Sequence, residues 1–152
     1  MRGIVYLISN DVDDQMCVGS TQCSLGKRWR EYKCQHKTDS LKICELMRNY
    51  GFDKFSIEVI EEVEVSDRSE LYWIEGLWQK ILIDNGYNLT NDKTNSGSGS
   101  GSKQWYADHP DRYKEHLQRQ YEKRKEKVNC PICGRLYSKS SLYRHKKLCG
   151  KN

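Results

Sequence analysis

Gly3-Ile4-Val5-Tyr6-Leu7-Ile8-Ser9 and Met16-Cys17-Val18-Gly19-Ser20-Thr21 are the two stretches on which the reading of this chain turns. Both are rich in β-branched and apolar residues, the composition of strands, and Asn10-Asp11-Val12-Asp13-Asp14 between them is a turn-rich, acidic connection. Ser24 stands where an N-cap would open a helix to about residue 37, and that helix carries Lys27-Arg28-Trp29. A second helix is expected over residues 40–50, ended by Gly51, and Phe55-Ser56-Ile57-Glu58-Val59-Ile60 alternates at period two as a third strand. From about Ser66 to Ile83 a third helix places Leu71, Ile74, Trp78 and Leu82 on one face, after which Asn85-Gly86 turns the chain into Tyr87-Asn88-Leu89. The order ββααβα predicts a small α+β domain, a short antiparallel sheet flanked by helices.

A chain of 152 residues accommodates one such domain of about 90 residues with a modest core, plus a smaller appendage. Its hydrophobic content is 36%, and no apolar run approaches the roughly 20 residues that span a bilayer. Met1-Arg2 leads directly into a strand pattern without a cleavable leader, so no membrane partner and an intracellular location are expected. The seven cysteines fall into scattered Cys17, Cys23, Cys34 and Cys44 and a C-terminal cluster of Cys130, Cys133 and Cys149 beside His145. An odd total with one metal-spaced cluster predicts a reducing compartment, the cytoplasm or nucleus of a host cell, not a disulfide scaffold.

The net charge of +5 hides an asymmetry. Residues 1–102 carry 12 Lys/Arg against 16 Asp/Glu, a net of −4, whereas residues 103–152 carry 14 against 5, a net of +9. Positive charge concentrated in the last third is the footprint of a phosphate-binding arm. Ser96–Ser102 alternates Gly and Ser and reads as a flexible tether, natural or engineered. Beyond it Pro110 suits the first turn of a basic helix in which Tyr113, Leu117 and Tyr121 recur at i, i+4 and i+8. These features divide the chain into a first domain at 1–91, a linker at 92–103, a basic helix at 104–127 and a terminal module at 128–152.

Taken together, Gly3-Ile4-Val5-Tyr6, Cys17-Val18-Gly19-Ser20, Arg28 in the helix that follows, Glu75 and Gly86-Tyr87-Asn88 resemble, in this order over residues 2–90, a GIY-YIG nuclease domain. Cleaving a phosphodiester needs a base for the water, a cation for the phosphate, and an acid or metal for the leaving oxygen. The resemblance implies Tyr6 as the base, Arg28 as the phosphate clamp and Asn88 as the closing asparagine. It implies Glu75 as the ligand of a single Mg²⁺ or Mn²⁺, with Glu70 as the runner-up. A tyrosine serves as base only if nearby positive charge pulls its pKa well below about 10. The chain departs from the family at two positions. Cys17 stands where the second motif offers a tyrosine, and Tyr32 stands where a histidine often follows the arginine, with His36 one turn further on. Arg28, Tyr32 and His36 at i, i+4 and i+8 are expected to share one helix face, so Cys17, Tyr32 and His36 join the candidate site.

Cys130-Pro131-Ile132-Cys133, then eleven residues, His145, three residues and Cys149 give the spacing of a closed tetrahedral zinc site. With Tyr137 and Leu142 at its two core positions, the module resembles a ββα zinc finger in which Cys replaces the final His. Zinc would then supply most of its folding free energy. Finger geometry makes Ser138, Ser141 and Arg144 the outward helix positions, and of these only Arg144 is a strong base reader, preferring guanine. Lys139, Lys146 and Lys147 are expected to hold phosphates.

The resemblance thus implies a metal-dependent DNA endonuclease leaving 5′-phosphate and 3′-hydroxyl ends, and with the basic last third it points to double-stranded DNA as the partner. Its module order resembles the homing-type nucleases of phages and large DNA viruses. Two rival readings stand beside it: a DNA-binding protein with impaired catalysis, and a branched-structure repair nuclease. The target site and the oligomeric state stay open, and one active site per chain predicts nicking unless two copies meet.

Overall fold

A computed structural model describes residues 1–91, 108–125, 127–138, 141–142, 145–146 and 149. The Gly/Ser stretch, residues 104–107 of the expected basic helix, Lys139, Arg144 and Lys147 lie outside the described residues. The chain forms two compact units, Met1–Ser102 and Lys103–Asn152.

In the first unit strands β1 (Arg2–Asn10), β2 (Gln15–Thr21), β3 (Phe55–Glu64) and β4 (Asn88–Leu89) form one sheet in the order β3-β1-β2-β4. β1 is antiparallel to both β2 and β3, as expected, while the two-residue β4 adds to the edge of β2 in parallel. Central β1 is buried on both faces, which is why it reads as an unbroken apolar run instead of an alternating one. Tyr6, Ile8 and Cys17 pack with Tyr32, Ile43, Cys44, Leu46, Met47 and Phe55 from the elements on one side.

β3 runs four residues further than its alternation suggested. Its register against β1 shifts between Val5, opposite Glu61, and Tyr6, opposite Val59, leaving Ile60 as an extra residue. Such a bulge makes two successive residues face inward, and Ile60 and Glu61 are both buried. Glu61 is tolerated there because Trp78 Nε1 donates a 2.7 Å hydrogen bond to its carboxylate.

Helix α1 (Leu25–Gln35) starts at Ser24, whose hydroxyl accepts from Lys27 N at 3.3 Å. α2 (Lys42–Tyr50) stops at Gly51, which adopts φ +92°, ψ 135°. α3 (Arg68–Asp84) starts at Asp67, whose Oδ1 accepts from Glu70 N at 2.9 Å, and it buries Leu71, Ile74, Trp78 and Leu82, the face anticipated from spacing.

In the second unit Pro110 opens helix α4 (Pro110–Lys125), on which Tyr113 and Leu117 are exposed. A hairpin of β5 (Lys127–Asn129) and β6 (Leu136–Ser138) follows, then helical residues at 141–142 and 145–146. Among the described residues no helix is long and apolar enough to cross a membrane.

The backbone at Gly51 belongs to a region that is nearly glycine-only, and an added Cβ would meet Asp53 Oδ1 at 2.7 Å. Gly51→Ala should therefore destabilise the domain by about 1–3 kcal/mol. Denaturant unfolding checks this, with a lower midpoint expected at unchanged slope; an unchanged midpoint would contradict it.

Candidate active site and metal centre

The hairpin register sets Tyr6 of β1 directly opposite Gly19 of β2. A Cβ at position 19 would lie 2.5 Å from the Tyr6 hydroxyl, so the phenol packs flat against the neighbouring strand only because that residue is glycine. The ring is 1% exposed, and its oxygen accepts a 3.0 Å hydrogen bond from Arg28 Nε. The same oxygen lies 3.3 Å from the Tyr32 hydroxyl. Arg28 is fixed from two further directions: Nη1 donates to Glu31 Oε2 at 3.0 Å, and the guanidinium sits 4.5 Å from the centre of the Tyr32 ring.

Across the cleft α3 presents Glu75. Its Oε2 accepts from the Ser20 hydroxyl at 2.6 Å and its Oε1 from Gln79 Nε2 at 3.1 Å. Tyr6, Cys17, Arg28, Tyr32 and Glu75 line one open cleft of about 640 Å³. The geometry separates the two buried glutamates of α3. Glu70 Oε2 accepts from both the backbone N–H and the hydroxyl of Ser66 at 2.6 Å, which makes it part of the helix cap.

The cleft does not gather every expected residue. His36 sits at the end of α1 with Nδ1 3.0 Å from Tyr32 O and its ring 5.1 Å from that of Phe52. An i+8 residue has drifted about 80° from residue i on a helix of 3.6 residues per turn, so the face shared by Arg28 and Tyr32 is not shared by His36. Asn88 is exposed, opposite Gln15 at the far end of β2, with Nδ2 donating to Asp14 Oδ1 at 3.3 Å. The asparagine that reaches the cleft is Asn91: its Oδ1 accepts from Val18 N at 3.0 Å and its Nδ2 donates to Val18 O at 2.6 Å. No spacing in the sequence pointed to Asn91, and Ser20 was read only as the last residue of the second motif, without a part in the site. Gln79, four residues after Glu75, was legible as a helical neighbour.

Electrostatics in the free protein bear on the expected base, whose ionisation calls for the charge of Arg28 together with a divalent metal. Burial pushes the Tyr6 phenol above its ordinary value, and this outweighs the opposing pull of the Arg28 hydrogen bond and charge. Tyr32 is shifted upward as well, by burial first and then by its closeness to Tyr6. Arg28 acts in the anticipated direction but is too weak alone, so in the free protein both phenols stay protonated at neutral pH.

In the second unit the ligand atoms of Cys130, Cys133, His145 and Cys149 all lie within 4.8 Å of one another. Cys130 Sγ and Cys149 Sγ are 3.9 Å apart, close to the ~3.8 Å that tetrahedral zinc with 2.3 Å Zn–S bonds requires. Cys133 Sγ is 3.1 Å from His145 Nε2. Against the desolvation of burial, hydrogen bonds from the backbone N–H groups of Cys133 and Ile132 draw the Cys130 thiol down to about 6. Burial and the neighbouring sulfurs push Cys149 up to about 11. A cluster that resists a second thiolate is one whose charges call for a divalent cation, and the donor set fits zinc. The Tyr137 ring stacks on His145 at 4.0 Å and braces that imidazole. Of the expected phosphate-holding lysines only Lys146 is described, and it lies in the helical residues beside His145.

Comparison with known proteins gives a match of the GIY-YIG catalytic domain family to residues 2–88. One curated relative, protein 146R of Invertebrate iridescent virus 6, named for an MSV199 domain, is 34% identical over 90 residues. The aligned segment covers 56% of this chain and 34% of the relative, so the match spans about a third of that protein's length. No solved structure gives a significant match.

Two outcomes follow from these geometries. Ultraviolet titration of the wild type minus that of Tyr6→Phe should isolate a phenol ionising above pH 10. Because the folded value is raised, the buried phenol's contribution to stability is complete below the unfolded value of about 10 and is lost as pH climbs through the folded one. A Tyr6 phenol titrating below 9 in the free protein would refute the burial argument. Separately, the purified chain should carry stoichiometric zinc, and Cys133→Ser should release it and unfold the terminal module by circular dichroism; metal-free protein with the same spectrum would count against a structural site.

Proposed function

The chain belongs to the GIY-YIG catalytic-domain family, a nuclease family, and on that premise we propose that it is a divalent-metal-dependent endonuclease acting on double-stranded DNA. What supports this reading is that Tyr6, Arg28, Tyr32 and Glu75 line a single cleft, with the Arg28 guanidinium and the Tyr6 oxygen 3.0 Å apart. Arg28 is the phosphate clamp: its planar fork suits two phosphate oxygens, and binding substrate exchanges the Glu31 carboxylate for the phosphate. Tyr6 takes the proton of the attacking water as a phenolate, which the Arg28 Nε–H and the Tyr32 hydroxyl both stabilise by donating to its oxygen. Since that phenol starts protonated, the rate should rise with pH on the alkaline side. Glu75, held in place by Ser20 and Gln79, is the residue suited to Mg²⁺ or Mn²⁺, because a single carboxylate matches an ion that keeps several waters. When bound, such an ion supplies positive charge for the phosphate and the leaving 3′ oxygen.

The products are 5′-phosphate and 3′-hydroxyl ends. The net +9 of residues 103–152 supports duplex binding by the basic helix and the zinc finger, with Arg144 on a base and Lys139, Lys146 and Lys147 on phosphates. A homing-type role rests on the analogy of module order alone. Cys17 in place of a phenol and the raised Tyr6 favour one second reading, a DNA-binding protein whose cutting is impaired.

Nicking of supercoiled plasmid with Mg²⁺ or Mn²⁺ separates these readings. The parent should nick; Glu75→Ala should lose ~10²-fold or more, as removal of a group acting on the reacting phosphate does. Glu70→Ala should retain cutting while losing about 1 kcal/mol of stability with its cap. Equal nicking by parent and Glu75→Ala would sink the assignment of Glu75. Salt-sensitive DNA binding without nicking by any variant would favour the impaired protein.

A further inference from the structure

The wall of the cleft formed by α3 carries more than Glu75. Arg68, Tyr72 and Glu75 stand at i, i+4 and i+7, and all three line the cleft. The Arg68 guanidinium lies 5.1 Å from the centre of the Tyr72 ring, and Tyr72 is 39% exposed. The charged groups of the cleft are Arg28, Glu31, Arg68 and Glu75. Arg28 is paired with Glu31, whereas Arg68 makes no ion pair among the described residues. Its position does not serve the helix. Arg68 is the first residue of α3, where the backbone dipole is positive and a cation is disfavoured. A stacked arginine kept at that end of a helix, inside a −4 segment and facing the candidate site, is accounted for by an anion that arrives from outside.

We infer that Arg68 and Tyr72 form a second nucleic-acid contact of the cleft, Arg68 holding a phosphate that flanks the scissile one and Tyr72 stacking beneath its guanidinium and against the adjoining nucleotide. This inference rests on the nuclease reading for the place of the scissile phosphate. The spacing fits: seven residues of helix put Arg68 about 10 Å from Glu75 along α3, and a DNA strand advances about 3.4 Å per nucleotide. The contact therefore falls within a few nucleotides of the reacting bond. Tyr72 keeps the planar guanidinium directed by stacking, a face-to-face arrangement that a lysine ammonium would not reproduce.

The test uses the full chain with a labelled DNA duplex, the loss of binding being measured by anisotropy over a range of salt. Glu75→Ala is the parent, so that cleavage does not interfere, and Arg68→Ala, Arg68→Lys, Tyr72→Leu and Tyr72→Phe are added to it. Removing one phosphate contact should lower the salt slope by about one and weaken binding roughly threefold to tenfold for Arg68→Ala. Arg68→Lys should recover only part of the affinity, Tyr72→Leu should weaken binding, and Tyr72→Phe, which keeps the ring, should not. On the otherwise wild-type chain Arg68→Ala should raise the half-saturating DNA concentration by a larger factor than it lowers kcat. An unchanged salt slope and affinity for both Arg68→Ala and Tyr72→Leu would overturn the inference, whatever the cutting activity. Absence of nicking by the wild type, with the binding effects intact, would instead remove the nuclease reading and leave a nucleic-acid contact standing. Circular dichroism of each variant excludes unfolding as the cause of any loss.

Discussion

The close approach of the Tyr6 phenol to the backbone of Gly19 is the contact on which the site is built. Two strands of an antiparallel pair place their opposed side chains within about 5 Å, so a buried phenol facing any larger residue would have to swing away. With glycine opposite, the hydroxyl lies within reach of both Arg28 and Tyr32 from α1. The bulge on β3 falls between the partners of Val5 and Tyr6, immediately before that residue. Bulges change strand direction and twist locally, and here one sits beside the residue of β1 that lines the cleft.

Most of the fold was legible because its longer elements announced themselves through different physical signals. Ser24 and Gly51 mark helix ends at which a side-chain acceptor or an unusual backbone angle is needed, and α3 shows its buried stripe at helical spacing. The parallel β4 was not legible, since a two-residue strand has no period to detect. The lining of the cleft was legible only where it coincided with a motif. Tyr6, Arg28, Cys17, Tyr32 and Glu75 came together in one cleft, but Asn88 did not, and the nearest asparagine there is Asn91 three residues on. Counting residues along an irregular segment cannot say which amide meets Val18, because the loop path, not a repeat, sets the answer. Likewise, i+8 spacing suggested a shared face for His36, and the accumulated helical drift carried it away.

Burial and charge pull the Tyr6 phenol in opposite directions, and burial prevails. Packing that positions a residue accurately also withdraws water from it, and a phenolate is costly without water. The two units divide another pair of incompatible demands. A segment of net −4 holds the cleft, where excess cations would compete for its carboxylates, while a segment of net +9 carries the charge suited to phosphates.

Glu70 and Glu75 lie on one helix, five positions apart, both withdrawn from solvent, and yet they answer to different pressures. Glu70 satisfies the backbone at the start of α3, so its loss would be felt by any protein that keeps this fold. Glu75 faces the cleft through Ser20 and Gln79, so its retention is tied to what happens there. A descendant that abandoned the chemistry of the cleft but kept the scaffold would be free to drift at the second position while remaining bound at the first. On the proposed reading, invariance at Glu70 in such a lineage would record ancestry of shape, and the company of Ser20, Glu75 and Gln79 would record inheritance of activity.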